Sequence, residues 1–201
     1  DLSGVWHVQS EPLEIVLQRL GPPPKGVGTA VGMELNTVSM YALDVTLDYK
    51  PGEIAMTPEA AALYERRLKG QEFLPTTYCQ PGGIPLATLL SEAFKIVQTS
   101  GLTLIIHELD GFPRQIYTDG RALPKKIEFP SWLGYSVGRW EQDMFVVDTL
   151  GFNDKSWLDA RGHPHSEHLH ITERYRRRDV GHLDAEITID DPKYYNKPMS
   201  F

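Results

Sequence analysis

Ala93-Phe94-Lys95-Ile96-Val97-Gln98-Thr99-Ser100-Gly101-Leu102-Thr103-Leu104-Ile105-Ile106-His107-Glu108 reads as two strands folded about a tight turn. Both arms are rich in β-branched and aromatic side chains, which suit a pleated, half-buried surface, and Ser100-Gly101 supplies the reversal. The same grammar continues outward. Arg114-Gln115-Ile116-Tyr117-Thr118 follows, beyond Asp110-Gly111. Gly134 to Trp140 and Met144 to Thr149 flank Glu141-Gln142-Asp143, and His168 to Arg177 and Leu183 to Ile189 are joined through Asp179-Val180-Gly181. Upstream, Leu13 to Leu20, Val27 to Glu34 and Met40 to Tyr49 also read as strands. One segment breaks the pattern: Thr57 caps, Pro58 suits the first helical position, Glu59 favours the positive end of the dipole, and Gly70 stops the turn. That predicts a helix over about 58–69, with a second short turn within 86–93.

Successive strands joined by short turns predict an antiparallel meander. Nine or ten strands close best as a barrel, because closure removes the exposed edges of an open sheet. The reading is therefore all-β, a single β-barrel domain over 1–201, with a β-sandwich as the alternative. Composition agrees. The 201 residues favour one domain, and 41% hydrophobic content is enough for a core. A net charge of -7 argues against nucleic acid as a partner, since polyanions are held by surplus Lys and Arg. No apolar run reaches the roughly 20 residues of a membrane span. Cys79, the single cysteine, has no disulfide partner within the chain. The opening Asp1-Leu2-Ser3, without an initiator Met, leads to the expectation of a removed leader and export to the periplasm or medium, an artificial boundary being the plainer alternative.

Gly4-Val5-Trp6 resembles the Gly-x-Trp of the first strand of lipocalin-like (calycin) barrels. The resemblance implies a Trp that plugs the barrel floor beneath an Arg from a late strand, here Arg174 or Arg176. The lipocalin disulfide and late helix have no counterpart. A second resemblance covers about residue 57 to the C-terminus. Arg114 to Arg121, Gly138-Arg139-Trp140-Glu141, Val146-Val147-Asp148-Thr149, Gly151-Phe152-Asn153-Asp154, His163-Pro164-His165-Ser166-Glu167 and His170-Ile171-Thr172-Glu173-Arg174 look like a large uncharacterised family of bacterial proteins. Its members usually carry export signals, which is consistent with the expectation of export; it implies no activity.

Four of the seven histidines, His163, His165, His168 and His170, lie between residues 163 and 170, where a long connection runs into the next strand. Long ordered loops are often functional, and three readings of this one stay open. In the first, the cluster binds Zn or Cu: His168 and His170 are i and i+2 on a strand, and His163, His165 or Glu108 adds a third ligand. In the second, no cofactor is needed and imidazole does acid–base work near neutral pH. His165 or His170 is then the acid/base, Asp148 or Glu173 its orienting carboxylate, and Arg114 or Arg174 the anion stabiliser. Asn153, Tyr117 and Trp157 position a small-molecule ligand, and the 151–168 loop is a lid. This lyase, isomerase or hydrolase reading leads. In the third the segment is structural: Pro164 fixes a turn, the exposed histidines are solvated, and the Arg174–Arg178 run faces water, with Arg and Glu in cross-strand ion pairs. A separate alternative for the whole protein is a non-catalytic binder of a small ligand, with a more apolar interior and its histidines toward solvent.

Three further features are read plainly. Cys79 before Gly82-Gly83 has the elements of a nucleophile, but reads better as a small buried residue in a turn. Gly134-Tyr135-Ser136-Val137-Gly138 has the letters of a nucleophile elbow without the following helix, so a hydrolase elbow is rejected. Trp140 reads as core.

Overall fold

A computed structural model describes residues 1–22, 37–108 and 112–201. The chain is β-rich, 32% strand against 17% helix, and its large sheet curls into a half-barrel. In chain order the strands are β1 (Gly4–Trp6), β2 (Glu11–Pro12), β3 (Thr37–Val38), β4 (Phe94–Thr99), β5 (Leu102–His107), β6 (Arg114–Tyr117), β7 (Tyr135–Glu141), β8 (Met144–Leu150), β9 (His170–Arg177), β10 (Leu183–Asp190) and β11 (Met199–Ser200). Nine of them form one sheet in the order β1-β4-β5-β6-β7-β8-β9-β10-β11, and β2 and β3 pair separately.

The hairpin that opened the reading is β4–β5, with Phe94 opposite His107 and Thr99 opposite Leu102. Gly101 turns it at φ +83, a conformation open to glycine. The meander holds from β7 to β11, every pair antiparallel. It breaks once: β6 and β7 run parallel through Ile116–Ser136 and Tyr117–Val137. The connection between them is long and carries Pro124 and Pro130, so it can return the chain to the starting end.

The ends of the sheet do not join. No pairing links β1 to β10 or β11 among the described residues. β1 has three residues and β11 two, too few to zip a seam, and β11 covers β10 only at Thr188 and Ile189. The curl still brings the ends near one another, because the guanidinium of Arg177 on β9 lies over the Trp6 ring of β1, 5.1 Å from its centroid.

The expected helix is present as Pro58–Leu68. Three more α-helices occur among the described residues: Leu13–Leu20 (α1), Met40–Leu43 (α2) and Leu86–Leu89 (α4), with Pro58–Leu68 as α3. The last realises the expected turn within 86–93. The strand readings of 13–20 and 40–49 are corrected. Leu13, Val16, Leu17 and Leu20 repeat at helical spacing, and burial of Val16 against the core selects that period over the β preference of Ile15-Val16. After α2 the chain turns at Asp44 instead of entering a ladder, with the Thr46 amide and hydroxyl both donating to the Asp44 carboxylate. The strand expected over 27–34 lies outside the described residues.

Two apolar cores result. The inner face of the curl packs Leu2, Trp6, Phe94, Ile96, Ile105, Ile116, Phe145, Val147 and Tyr175 together. The larger core joins Ile171, Ile187, Ile189 and Met199 of the last strands to α2, α3, α4 and the 152–169 connection. That connection is therefore buried filling: Trp157, Leu158, Asp159 and Ala160 are all at most 2% exposed. Gly138 faces the inner core, where a Cβ would meet the Phe145 ring at 2.6 Å and Ile116 at 2.8 Å.

Candidate functional site

Strand alternation places Ile171, Glu173 and Tyr175 of β9 inward, and leaves His170, Thr172, Arg174 and Arg176 on the other face, partly or fully exposed. The inward acid–base set expected around His170 and Arg174 is thus not the set that faces the curl. Apolar Ile171 and Tyr175 decide the register, and Glu173 goes in with them.

Glu173 does not go in alone. Arg114 of β6, 1% exposed, grips it with both terminal nitrogens, one donating to Oε1 at 2.8 Å and the other to Oε2. Arg114 also donates to Ser136 Oγ at 3.3 Å and Thr149 Oγ1 at 2.9 Å, and Tyr175 Oη donates to Glu173 Oε1 at 2.7 Å. Burial alone would lower the Arg114 pKa, but the Glu173 carboxylate outweighs it and the net direction is upward. Burial and the same carboxylate push Tyr175 well above the usual phenol range. Arg114 and Glu173 are two sequence candidates that the fold brings together, and their hydrogen bonds go to one another and to Ser136, Thr149 and Tyr175. Ser136 lies mid-strand in this network, in keeping with rejection of the elbow.

The histidine cluster disperses. His163 Nδ1 donates to Asp159 Oδ2 at 2.5 Å and its ring stacks on Tyr64, with centroids 4.5 Å apart. Its pKa is raised: burial opposes the charge, and Asp159 prevails. His165 accepts at Nε2 from Ser156 Oγ at 2.7 Å and donates from Nδ1 to the Ser166 carbonyl at 3.1 Å. Burial holds its pKa down. Asp191 fixes Ser166 through its amide and hydroxyl. His168 is exposed beside Glu167. His170 Nε2 meets Asp148 Oδ1 at 3.1 Å, the pair the sequence suggested, on the outer face, where Thr172 and Arg139 also donate to Asp148. These contacts, His170 foremost, hold the Asp148 carboxyl well below the usual range.

Four histidines with separate partners do not form a ligand set, and Glu108 is exposed at the end of β5. The group of His, Asp and Glu near enough to share a cation among the described residues is Asp44, Asp159 and His163. It fits a cation poorly. Asp159 already accepts from the Val45, Gly162 and His163 amides, and Asp44 pairs with Arg161 at 3.3 Å.

The remaining candidates are scattered. Trp157 is 2% exposed under the Arg67 guanidinium, 4.7 Å from it. Tyr117 sits against Tyr135 and under Arg121, beside a small cleft of about 440 Å³ that Arg114 and Ser136 also reach. Asn153 accepts from the Lys155 amide. Trp140 is corrected from core to 45% exposed: it shares the inner face with Gly138 and touches Phe145, ring centroids 5.2 Å apart, but lies at the turn end of β7, beyond the packed interior. Cys79 is exposed rather than buried, at a left-handed φ of 56.

Among the described residues a large cleft lies where the two ends of the sheet face each other. It encloses about 1100 Å³. Trp6, Phe94, Tyr175, Leu183 and Ile187 form its apolar wall, with Thr88 and Leu89 of α4 at one side and Arg177, Arg178 and His182 at the rim. Ala185, opposite Tyr175 in register, faces into it. None of the 151–168 connection lines it, so the lid expected there does not cover this cleft. Sequence reasoning singled out Trp6 but missed Thr88, Phe94 and Tyr175. The alternation Phe94/Ile96 and Glu173/Tyr175 was the available signal for the inner face; the gap in the sheet had none.

No protein-family model, curated protein or solved structure matches the chain.

Proposed function

We propose that the protein binds a small, largely apolar molecule in the seam cleft, as a non-catalytic carrier or sensor. The observation that carries this reading is the cleft itself: about 1100 Å³ between the unjoined ends of a curled sheet, walled by Trp6, Phe94 and Tyr175. Concave, mostly apolar sites with a few polar groups are the general form of small-molecule sites. Aromatic walls suit a planar ligand. The lipocalin-like resemblance supports the same reading in its finer form, with Arg177 standing over Trp6 in place of the Arg174 or Arg176 first considered. No metal or cofactor is required for it. The test is a fluorescence titration with N-phenyl-1-naphthylamine. Saturable binding at one site is expected, and Ala185→Trp, which fills the cleft from an exposed position, should abolish it without lowering the melting temperature. Undiminished binding in that variant would place the ligand elsewhere.

A second reading, cofactor-free hydrolytic chemistry, is favoured by one pair. Neutral His165, with its Nδ1 proton held by a carbonyl, accepts from Ser156 Oγ at 2.7 Å, as a base accepts from a nucleophile. Against it, Ser156 is 1% exposed and packs on Gly83, where a Cβ would come within 2.4 Å of Oγ. Stoichiometric labelling of Ser156 by a fluorophosphonate would establish this reading in place of the first.

A further inference from the structure

The polar groups on the inner face of the curl satisfy one another with one exception. His107 ends β5, inward beside Thr103 and Ile105, and is 6% exposed. Neither Nδ1 nor Nε2 has a hydrogen-bond partner among the described residues. A neutral imidazole carries one donor and one acceptor, and leaving both unmade in a buried place is costly. A phenylalanine would fill the space without that cost.

The exception has company. Among the described residues, seven buried side-chain polar atoms lack a partner, and four of them belong to Thr88, Glu92 and His107. These residues converge on one place in the fold. Thr88 is on α4, Glu92 is on the exit from α4 into β4, and His107 is the cross-strand partner of Phe94, the first residue of β4. Thr88 and Phe94 both line the seam cleft, and the Phe94 and His107 rings are 5.9 Å apart between centroids. The unmet hydrogen-bonding capacity therefore gathers around Phe94: Thr88 on the lining of the cleft, Glu92 and His107 next to Phe94 but outside that lining.

Resting on the seam-cleft reading, we propose that His107, next to the lining residue Phe94 and reached when that ring turns aside, is with Thr88 the polar recognition element of the cleft and takes the uncharged head of its ligand, a hydroxyl or amide on a planar apolar body. The charge state follows from the surroundings. Among the described residues the cation that acts on His107, Arg114, is already neutralised by Glu173, so an ionised head placed at His107 would find no free counter-charge there, the rim arginines lying at the mouth. Burial, with Arg114 close by, lowers the His107 pKa to about 4, so the ring is neutral at pH 7 and offers both a donor and an acceptor.

The full chain is titrated with 2-naphthol and with 2-methylnaphthalene, which has the same ring system and no hydroxyl. The wild type should prefer 2-naphthol by about tenfold or more, the value of one well-made hydrogen bond. In His107→Phe that preference should fall to near unity while 2-methylnaphthalene binds as before. Thr88→Val should reduce it partway. A preference that survives His107→Phe overturns the inference and leaves the cleft reading standing. Failure of both naphthalenes and of N-phenyl-1-naphthylamine to bind removes both. Should His107→Phe not fold, imidazole ¹⁵N shifts in the wild type decide: those of His107 must move on addition of 2-naphthol, and constant shifts overturn the inference.

Discussion

Replacing Arg114 by Met, Glu173 by Leu, and both together makes a double-mutant cycle on the inner-face network. Each single change strands a full charge that is at most 1% exposed. Stranding one member of a buried pair costs about 3–5 kcal/mol. Glu173→Leu also removes the acceptor of Tyr175 Oη. The double variant strands no charge: Ser136 and Thr149 keep their mutual hydrogen bond of 2.9 Å, and the unmet group is the Tyr175 hydroxyl, at about 1–3 kcal/mol. The double variant should therefore be more stable than either single one, with a coupling of about 8 kcal/mol on these figures. Urea unfolding at pH 7, followed by tryptophan fluorescence, measures all four species. For a chain of this size each kcal/mol moves the melting temperature by about 2–4 °C, so the singles should melt on the order of 10 °C early. Single variants within about 1 kcal/mol of wild type, or strictly additive losses, would refute the assignment of this pair as a mutually dependent unit.

Three other outcomes follow from the geometry. Gly138→Ala should cost about 1–3 kcal/mol in urea titration, because its Cβ meets the Phe145 ring at 2.6 Å in a packed interior. The folded His163 pKa is raised, so its contribution is complete below about 6.5, the value in the unfolded chain, and is lost as pH rises through the folded value; His163→Gln should flatten that alkaline decline in a melting-temperature profile. His107 behaves oppositely: with a folded value of about 4 it takes up protons less readily than the unfolded chain, so stability should fall as pH drops from about 6.5 toward 4, and His107→Phe should be less acid-sensitive over that window, as read by urea midpoints.

Much of the sheet could be read from residue order because hairpins declare themselves locally. Ser100-Gly101 and Glu141-Gln142-Asp143 each lie between β-rich arms, and the arms pair as read. The α1 segment was harder, since Ile15-Val16 favours a strand while the spacing of Leu13, Val16 and Leu20 favours a helix; burial of Val16 in a core formed by distant residues settles it. The site was legible in parts. His170 with Asp148 and Arg114 with Glu173 were among the groups expected to act, and each pair does meet. Which face of β9 turns inward was not legible, because both faces carry charge, and the choice is made by packing of Ile171 and Tyr175 against residues of other strands. The histidine-rich connection misled because density along the chain is not proximity of ring nitrogens. His163, His165 and His170 point to Asp159, Ser156 and Asp148 in three different places.

The unjoined ends of the sheet set a mechanical property. In a sealed cylinder of strands, strand number and stagger fix the radius, and every guest must fit one bore. Here the wall carrying Trp6 and the wall carrying Leu183 and Ile187 are tied across the gap by side-chain contacts such as Arg177 on Trp6, not by a ladder of backbone bonds. Opening that gap would therefore break side-chain contacts between the two edges and no rung of backbone bonds. On the proposed seam-cleft reading, guests of differing girth become admissible to one scaffold, and grip strength is set by how far the gap must be sprung.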